Sequence, residues 1–278
     1  MMTDYAGRDQ HTSMSLTLSE IAIYPVKSLK GILLGEAAVE LRGLRFDRRW
    51  LVVDDGNRFL TQRILPRMAL ITPTVQDGGL TLTAQDMAPL HVPAITDGMV
   101  RHVTIWRDTV PATDVGDPAG AWLSEFLGRS CRLVQMPEST ERAVNPAYGQ
   151  PGDIVSFADG YPFMLIGQAS LDDLNMRLVS PLPMRRFRPN LVVTGAEPFA
   201  EDTWKRVRIG DIVFRVVKPC ARCTIPTVDP EMGAFAGKEP LRTLATFRKV
   251  GSKVLFGQNL IADNTGVLHA GDLVEILE

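Results

Sequence analysis

Two cysteines three positions apart, Cys220 and Cys223, are the residues of this chain best suited to chemistry. They follow a run of β-branched residues, Val216–Val217, and precede a segment rich in proline, threonine and aspartate. Lys218 and Arg222 place two cations beside them. A thiolate is a soft metal ligand and also a nucleophile, and reactive thiols are commonly presented on loops held by a rigid strand. The pattern predicts a functional thiol at the end of a strand.

The spacing of this cysteine pair is compatible with several kinds of site. A structural zinc site takes four ligands in two clusters. The third cysteine and the four histidines are scattered along the chain: Cys131, His11, His91, His102 and His269. A thioredoxin-like redox pair opens a helix, whereas Pro226 and Pro230 disfavour a helix here. Packing in a loop is a further alternative, since free cysteines are often buried. A single ligating thiolate is the leading hypothesis.

Several cations occur in turn-like contexts beside predicted strands: Lys27, Arg48, Arg63, Arg67 and Arg188. Each one alone is compatible with an ordinary solvated surface. Cations that converge from several loops are suited to a phosphate, because arginine binds it bidentately and lysine supplies a point charge. Neither type of glycine-rich phosphate loop is present, which disfavours an ordinary mononucleotide or dinucleotide. The set predicts a pocket for a small anionic cofactor.

The composition restricts the class of protein. A net charge of −2 over 278 residues gives no indication of nucleic-acid binding or of an anionic membrane partner. Three cysteines do not make a disulfide framework, which predicts a cytoplasmic protein. No apolar run approaches the roughly 20 residues that span a bilayer, so no transmembrane segment is expected. Residues 1–15 are polar and are predicted to be a disordered leader.

Short alternating apolar runs predict a fold that is mainly β with a few helices, of the α+β class and rich in β-barrel. The clearest hairpin covers residues 207–217, with its turn at Gly210–Asp211. Three helices are predicted, near Asp117–Pro118, Ser170 and Glu239–Pro240. The stretch 137–153 is predicted to be a long loop that follows a domain boundary between residues 135 and 136.

Five short motifs occur in order along the chain and together resemble the MOSC family, in particular its amidoxime-reducing members. The motifs are Tyr24–Pro25–Val26–Lys27–Ser28–Leu29–Lys30–Gly31, Asp47–Arg48–Arg49–Trp50, Phe187–Arg188–Pro189–Asn190, Cys220–Ala221–Arg222–Cys223 with Thr227–Val228–Asp229–Pro230, and Phe256–Gly257–Gln258–Asn259. The resemblance covers residues 16–277. It implies an N-terminal MOSC-type β-barrel domain over residues 16–135 and a β-barrel MOSC domain over residues 136–278.

The resemblance also implies a molybdenum cofactor, a phosphorylated pterin dithiolene whose metal binds one protein thiolate. By motif position, Cys223 is the metal ligand and the catalytic residue, and Cys220 is a neighbour. The implied cofactor-binding residues are Lys27, Ser28, Arg48, Asp159, Gly160, Tyr161, Arg188, Asn190 and Asn259. Gly160 and Tyr161 depart from the small hydroxyl residues usual at these positions, and Asn259 replaces an aromatic residue. Arg63 and Arg67 lie in a matching segment without an assigned contact.

The implied function is the molybdenum-dependent reduction of N-hydroxylated compounds such as amidoximes, hydroxylamines and N-hydroxylated bases. The expected partners are a small-molecule substrate and a separate ferredoxin-type or flavin-type protein that donates electrons. Neither pyridoxal phosphate nor an iron–sulfur cluster is expected in this chain, because three cysteines are too few for a cluster. The alternative is a molybdenum-cofactor binding or carrier module, or a sulfur-transfer domain that uses the same thiols.

Overall fold

The computed structural model describes residues 15–95 and 97–278, so most of the predicted leader lies outside the described residues. The strands are β1 Thr17–Ile23, β2 Ile32–Leu34, β3 Glu36–Glu40, β4 Gly43–Leu44, β5 Trp50–Val53, β6 Thr72–Gln76, β7 Gly79–Thr83, β8 Leu90–Val92, β9 Val100–Ile105, β10 Asp108–Asp114, β11 Arg132–Gln135, β12 Phe163–Gly167, β13 Leu191–Thr194, β14 Arg206–Ile209, β15 Ile212–Ala221, β16 Val228–Asp229, β17 Ala234–Phe235, β18 Lys249–Val250, β19 Lys253–Ala262, β20 Gly266–His269 and β21 Val274–Ile276.

Three α-helices and several single-turn 3-10 helices accompany these strands. The α-helices are α1 Asp117–Leu127, α2 Gln168–Met176 and α3 Leu241–Phe247. The 3-10 helices are Pro66–Leu70, Met184–Arg186, Ala200–Asp202 and Ile225–Thr227. The predicted class, mainly β with a few helices, is therefore confirmed. None of the helices within the described residues has the length and apolar character needed to cross a membrane.

The largest sheet runs in the order β2-β1-β13-β12-β19-β15-β14-β21. Its two ends approach each other, because Val274 N donates to Leu16 O (2.8 Å) and Leu18 N donates to Asp272 O (2.9 Å). The strands thus curve round a common interior, and inward residues such as Phe163 and Phe214 fill it with an edge-to-face ring contact of 5.2 Å. Closure of this kind leaves few unpaired strand edges.

The strands of this sheet come from both ends of the chain. β1 lies between β2 and β13, so β1 pairs on one side with a strand that follows more than 150 positions later in sequence. β3 likewise pairs with β20. The first segment therefore completes the sheet formed by the last one, and the division at residues 135 and 136 stays a prediction.

A second core lies between the remaining N-terminal strands and α1. The sheet β5-β11-β10-β9 and the sheet β6-β7-β8 enclose it. Trp122, Leu123 and Phe126 of α1 are buried there at helical spacing, together with Trp50 of β5. This packing fixes β5, and with it the Asp47–Arg48 turn that precedes β5.

Local signals predicted all three helices and the main hairpin. α1 begins at Asp117, with Pro118 in its first turn, and ends at Leu127. The next residue, Gly128, has a φ of +64°, the left-handed conformation that glycine adopts readily. The hairpin of β14 and β15 turns at Gly210–Asp211, as predicted. Residues 136–162, which include the predicted loop, contain neither helix nor strand and have only the isolated bridge Ala143–Ile154.

The start of α2 is the exception. Ser170 was predicted to cap this helix, but α2 already begins at Gln168. The Ser170 hydroxyl donates instead to the buried carboxylate of Glu201, at 2.8 and 2.9 Å, and accepts from Phe199 N. The Ser170 hydroxyl, which the local sequence pattern placed at the start of the helix, is thus used in a tertiary contact.

Candidate functional site

One cavity of about 290 Å³ opens where the loops before β5, β12 and β13 meet the end of β15. All ten predicted site residues line it: Lys27, Ser28, Arg48, Asp159, Gly160, Tyr161, Arg188, Asn190, Cys223 and Asn259. Further lining residues, which the motifs did not single out for a role, include Thr61, Met164, Phe187, Lys218 and Arg222. The cavity therefore gathers residues from seven separate parts of the chain around the Cys223 thiol.

Three of the lining residues adopt a backbone conformation that is rare for side chains larger than glycine. Ser28, Arg48 and Arg188 have φ values of +70°, +50° and +57°. Non-glycine residues in this region are strained, and such residues cluster at functional sites. The surrounding structure fixes them, since Arg48 N donates to Tyr24 O and Gln62 Nε2 donates to Ser28 O.

Lys27 is the most deeply buried cation of the cavity, with a side chain only 7% exposed. Its ammonium donates to Phe157 O (2.8 Å) and to Asp159 Oδ1 (2.5 Å). Burial lowers the pKa of Lys27 to about 8, and the Asp159 carboxylate opposes this shift. Trp106 Nε1 donates to the same carboxylate oxygen at 3.1 Å. Desolvation would raise the pKa of Asp159, but the charges of Lys27 and Arg63 and these hydrogen bonds hold it well below its usual range.

Two arginines share one aromatic support. The guanidinium carbons of Arg48 and Arg188 lie 4.4 and 4.1 Å from the ring centroid of Tyr24. Arg48 Nη1 donates to Asp47 Oδ2 (2.5 Å) and Asn190 Oδ1 (2.9 Å), and Arg188 Nη1 donates to Leu29 O (2.7 Å). Burial lowers the pKa of Arg188 to about 10. Tyr24 thus holds two cations at the cavity wall.

The side chain of Asn190 forms most of its hydrogen bonds within the fold. Its Oδ1 accepts from Arg48 Nη1 and Met164 N, and its Nδ2 donates to Ala22 O at 3.1 Å. The side chain is buried, with 1% of the residue exposed. Asn190 therefore ties β1, β12 and Arg48 together, and its contribution to the cavity is to orient the Arg48 guanidinium.

The two thiols of the Cys-x-x-Cys segment have different surroundings. Cys220 is the penultimate residue of β15, and its Sγ accepts from Arg222 Nη1 at 3.2 Å. The same guanidinium donates to Met164 Sδ (2.9 Å) and Phe187 O (2.6 Å). Cys223 lies in the turn before the 3-10 helix Ile225–Thr227, and within residues 15–95 and 97–278 its thiol has no hydrogen-bond partner. Cys220 is thus engaged by the protein, whereas Cys223 is available to a ligand.

The redox and zinc alternatives for the cysteine pair each require a feature near Cys223 that can be compared with the structure. The redox alternative calls for an α-helix that opens at the cysteine pair, and only a 3-10 turn follows Cys223 before β16. The zinc alternative calls for further ligands, and the described residues contain no group of three or more cysteine, histidine or carboxylate side chains positioned to hold a metal ion. Cys131 is buried in the α1 core beside Ser124.

Two buried polar atoms at this cavity have no hydrogen-bond partner among the described residues, Thr61 Oγ1 and Arg222 Nε. Thr61 is 1% exposed, and both residues line the cavity. Native proteins rarely leave such groups unpaired, so these two atoms are candidates for contact with a polar ligand. Arg222 was predicted only as a cation beside the two thiols, and Thr61 was not predicted, because a single buried hydroxyl has no sequence signature.

Arg63 and Arg67 do not line the cavity. The Arg63 guanidinium stacks on Trp106, 4.5 Å from its ring centroid, and Arg67 stacks on Phe126 at 4.6 Å. Arg63 still acts on the site through its charge beside Asp159. The remaining predicted cations form a positive wall, since Lys27, Arg48, Arg188, Lys218 and Arg222 face a single lining carboxylate, Asp159.

Two family models and several known proteins match this chain. The model of the MOSC N-terminal beta barrel domain matches residues 15–130, and that of the MOSC domain matches residues 152–275. The chain is 36% identical to mitochondrial amidoxime-reducing component 1 of Mus musculus over 281 residues, which covers 94% of this chain and 82% of the relative. The human component 1 is 35% identical, with 94% and 83% covered. Mitochondrial amidoxime reducing component 2 of Rattus norvegicus is 36% identical, with 93% and 82% covered.

The fold and these matches define a protein built of a MOSC N-terminal β-barrel domain and a MOSC domain. The chain belongs to the MOSC family, and its curated relatives are mitochondrial amidoxime-reducing components. The expectation of a cytoplasmic protein, which was drawn from the cysteine count, is wrong by this comparison, because the relatives are named mitochondrial. Reduced thiols do not distinguish the cytoplasm from other reducing compartments.

Proposed function

We propose that this chain is a molybdenum-cofactor-dependent reductase of N-hydroxylated compounds, among them amidoximes, hydroxylamines and N-hydroxylated bases. The observation that carries the proposal is the convergence of one unengaged thiol, Cys223, with five cations around a single cavity. A soft thiolate suits a metal of this kind, and the cations suit a phosphate. The names of the relatives, which describe amidoxime-reducing components, support the same reaction class.

The residues present fit a phosphorylated pterin that carries a metal. Cys223 would bind the molybdenum, and Lys27, Ser28, Arg48 and Arg188 would hold the pterin and its phosphate. The unpaired Thr61 Oγ1 and Arg222 Nε offer two further polar contacts, which a ligand rich in oxygen and nitrogen can satisfy. Asn190 would act by orienting Arg48. Asp159, Gly160, Tyr161 and Asn259 would complete the wall of the site.

The bound cofactor would supply the two-electron chemistry, so that an amidoxime takes up two electrons and two protons and leaves as an amidine and water. The protein's own residues bind and orient. Cys223 fixes the position of the metal, and the cations neutralise the phosphate. Phe163, Met164 and Phe187 give the inner wall an apolar lining that limits water.

We assign the electrons to a separate donor protein of the ferredoxin or flavin type. The three cysteines of this sequence are fewer than the four thiolates that hold a common iron–sulfur cluster. The purified chain should therefore reduce benzamidoxime with an artificial reductant but not with NADH or NADPH alone. Turnover with NADH and no partner would overturn this part of the proposal.

The decisive experiment is elemental analysis of purified protein from a cofactor-competent host supplied with molybdate, together with fluorescence assay of the oxidised pterin. The wild type should contain close to equimolar molybdenum and pterin. Cys223→Ser should lose molybdenum, and Cys220→Ser is the matched control that should retain it. Absence of both components from the wild type would reject the proposed cofactor.

The same variants separate the proposal from its alternative. A cofactor carrier would contain molybdenum and pterin but would not reduce N-hydroxylated substrates with any reductant. A sulfur-transfer domain would keep its full metal content in Cys223→Ser while losing a persulfide. The proposal requires metal loss and activity loss in the same variant.

A further inference from the structure

One wall of the cavity has a cation that no predicted cofactor contact uses, Lys218. Within residues 15–95 and 97–278 Lys218 forms no salt bridge, and its ammonium lies 4.1 Å from the ring centroid of Tyr148 and 5.9 Å from that of Tyr161. Contact with aromatic rings holds a cation without neutralising its charge. Lys218 thus presents an unneutralised charge to the cavity.

The local backbone turns Lys218 towards the cavity. The pairing of β15 with β19 shifts register between Val216 and Lys218, an irregularity of the β-bulge type. Bulges re-aim side chains and are frequent beside active sites. Asn259 Nδ2 then donates to Lys218 O at 3.1 Å, which ties the irregular segment to β19. The position of Lys218 is therefore built into the strand pair and does not depend on a mobile loop.

Two tyrosines of the long segment over residues 136–162 support this cation. Tyr161 follows Asp159–Gly160, and Tyr148 belongs to the long loop over residues 136–162. Their rings meet edge to face, with centroids 6.1 Å apart and planes at 82°. Tyr161 also lines the cavity, whereas Tyr148 is 40% exposed at the surface. Tyr161 and Lys218 together give a flat apolar surface beside a positive charge.

The contacts of this wall are separate from those of the other cations. Arg48 and Arg188 share the Tyr24 ring, and Lys27 pairs with Asp159. Among the described residues, the contacts of the Lys218 ammonium are with the rings of Tyr148 and Tyr161, and Asn259 binds the Lys218 backbone carbonyl. One group of cations suffices for a phosphate, which leaves Lys218 for a different anion.

We propose that Lys218, backed by Tyr148 and Tyr161, is a specificity-determining residue that selects planar N-hydroxylated substrates with an anionic group such as a carboxylate. This inference rests on the proposed function, because it names the substrate class of the same site. The carboxylate pairs with the Lys218 ammonium, and the planar body of the substrate lies against Tyr161.

The test compares benzamidoxime with its 4-carboxylate in the cofactor-loaded protein and in Lys218→Met. The ratio of kcat/KM for the carboxylate to that for benzamidoxime should fall about tenfold, which corresponds to about 1.4 kcal/mol. The change should lie mainly in KM, since the carboxylate is remote from the reacting oxygen. Lys218→Arg should restore most of the ratio, and Lys205→Met, at an exposed lysine outside the cavity, should leave it as in the wild type.

Two further measurements keep this inference distinct from the proposed function. Calorimetric binding of the carboxylate without reductant should weaken about tenfold in Lys218→Met, even if the wild type proves unable to turn it over. An unchanged ratio and an unchanged binding constant would overturn the inference. Loss of pterin or molybdenum from Lys218→Met would also overturn it, because the residue would then belong to the cofactor contacts. Failure of the wild type to reduce either compound, with binding still sensitive to Lys218, would contradict only the proposed function.

Discussion

The Lys27 ammonium lies 2.5 Å from Oδ1 of Asp159, and this contact joins residues 132 positions apart at the cavity wall. The lysine is buried, whereas the carboxylate is 58% exposed. Burial lowers the pKa of Lys27 from 10.5 to about 8. The unfolded chain therefore binds more protons than the folded protein between about pH 8 and 10.5, so this group makes the free energy of unfolding rise with pH across that window.

Asp159→Asn should destabilise the protein at neutral pH by about 2 kcal/mol, because it leaves a buried ammonium without its counter-charge. Exposure of the carboxylate reduces the loss below that of a fully buried pair. The difference in free energy of unfolding between wild type and Asp159→Asn should shrink between pH 7 and 9. Lys27 releases its proton in this range, and a neutral amine needs no carboxylate. Urea denaturation of wild type and variant at both pH values measures this difference.

Asp108→Asn is the matched control for that measurement. Asp108 is 45% exposed and accepts from Arg142 Nε at 2.7 Å, and the Arg142 side chain is 4% exposed. A guanidinium stays charged throughout this pH range. The loss in free energy of unfolding caused by Asp108→Asn should therefore stay constant from pH 7 to 9. Equal pH dependence of this loss in the two variants would contradict the role given to Lys27.

The shared support of Arg48 and Arg188 gives a second prediction. Tyr24→Leu removes the ring under both guanidinium groups and should weaken retention of the proposed pterin about tenfold, since each partly desolvated cation–π contact is worth roughly 1 kcal/mol. Tyr24→Phe keeps the ring and loses only the hydroxyl bond to Pro189 O, so it should cost about 1 kcal/mol of stability and retain pterin. Pterin fluorescence after gel filtration distinguishes the two variants, and equal loss in both would refute the role of the ring.

The features predicted from sequence were those with local signals or motif order. The Gly210–Asp211 turn follows from turn chemistry and the start of α1 from the proline in its first turn, and both are observed. The motifs named ten site residues, all of which line one cavity, although their roles stay predictions. The contact of Trp106 with Asp159 and the unpaired Thr61 hydroxyl were not predicted, because each depends on chain segments that meet only through the tertiary fold.

Glu201 explains the one helix start that was predicted wrongly and gives a third prediction. Its carboxylate is buried, accepts from Gly167 N (3.1 Å) and from the Ser170 hydroxyl, and has its pKa raised by burial. The folded state therefore holds this proton more tightly than the unfolded chain, so ionisation lowers stability as pH rises above the ordinary glutamate value. Glu201→Gln should be stabilising by roughly 1 kcal/mol at pH 7 and close to neutral at pH 4, because the amide keeps an acceptor without the charge. Thermal denaturation at both pH values measures this, and destabilisation at pH 7 would show that the anion is needed.

Gly257 gives the last prediction. It lies in β19, within the Phe256–Asn259 motif, and its backbone conformation sets the course of this strand. Its φ is +80°, and a Cβ at this position would meet Ile166 Cγ1 at 2.7 Å and Leu165 O at 2.9 Å. Gly257→Ala should therefore cost about 3 kcal/mol, of which backbone strain contributes about 1 and overpacking the rest. Gly251→Ala is the matched control, since its φ is +58° and a Cβ would meet nothing within 4 Å. Urea denaturation should give only the strain component, about 1 kcal/mol, for Gly251→Ala. Equal losses in the two variants would mean that β12 yields to the added methyl group, and that the close approach of β19 to β12 does not require glycine.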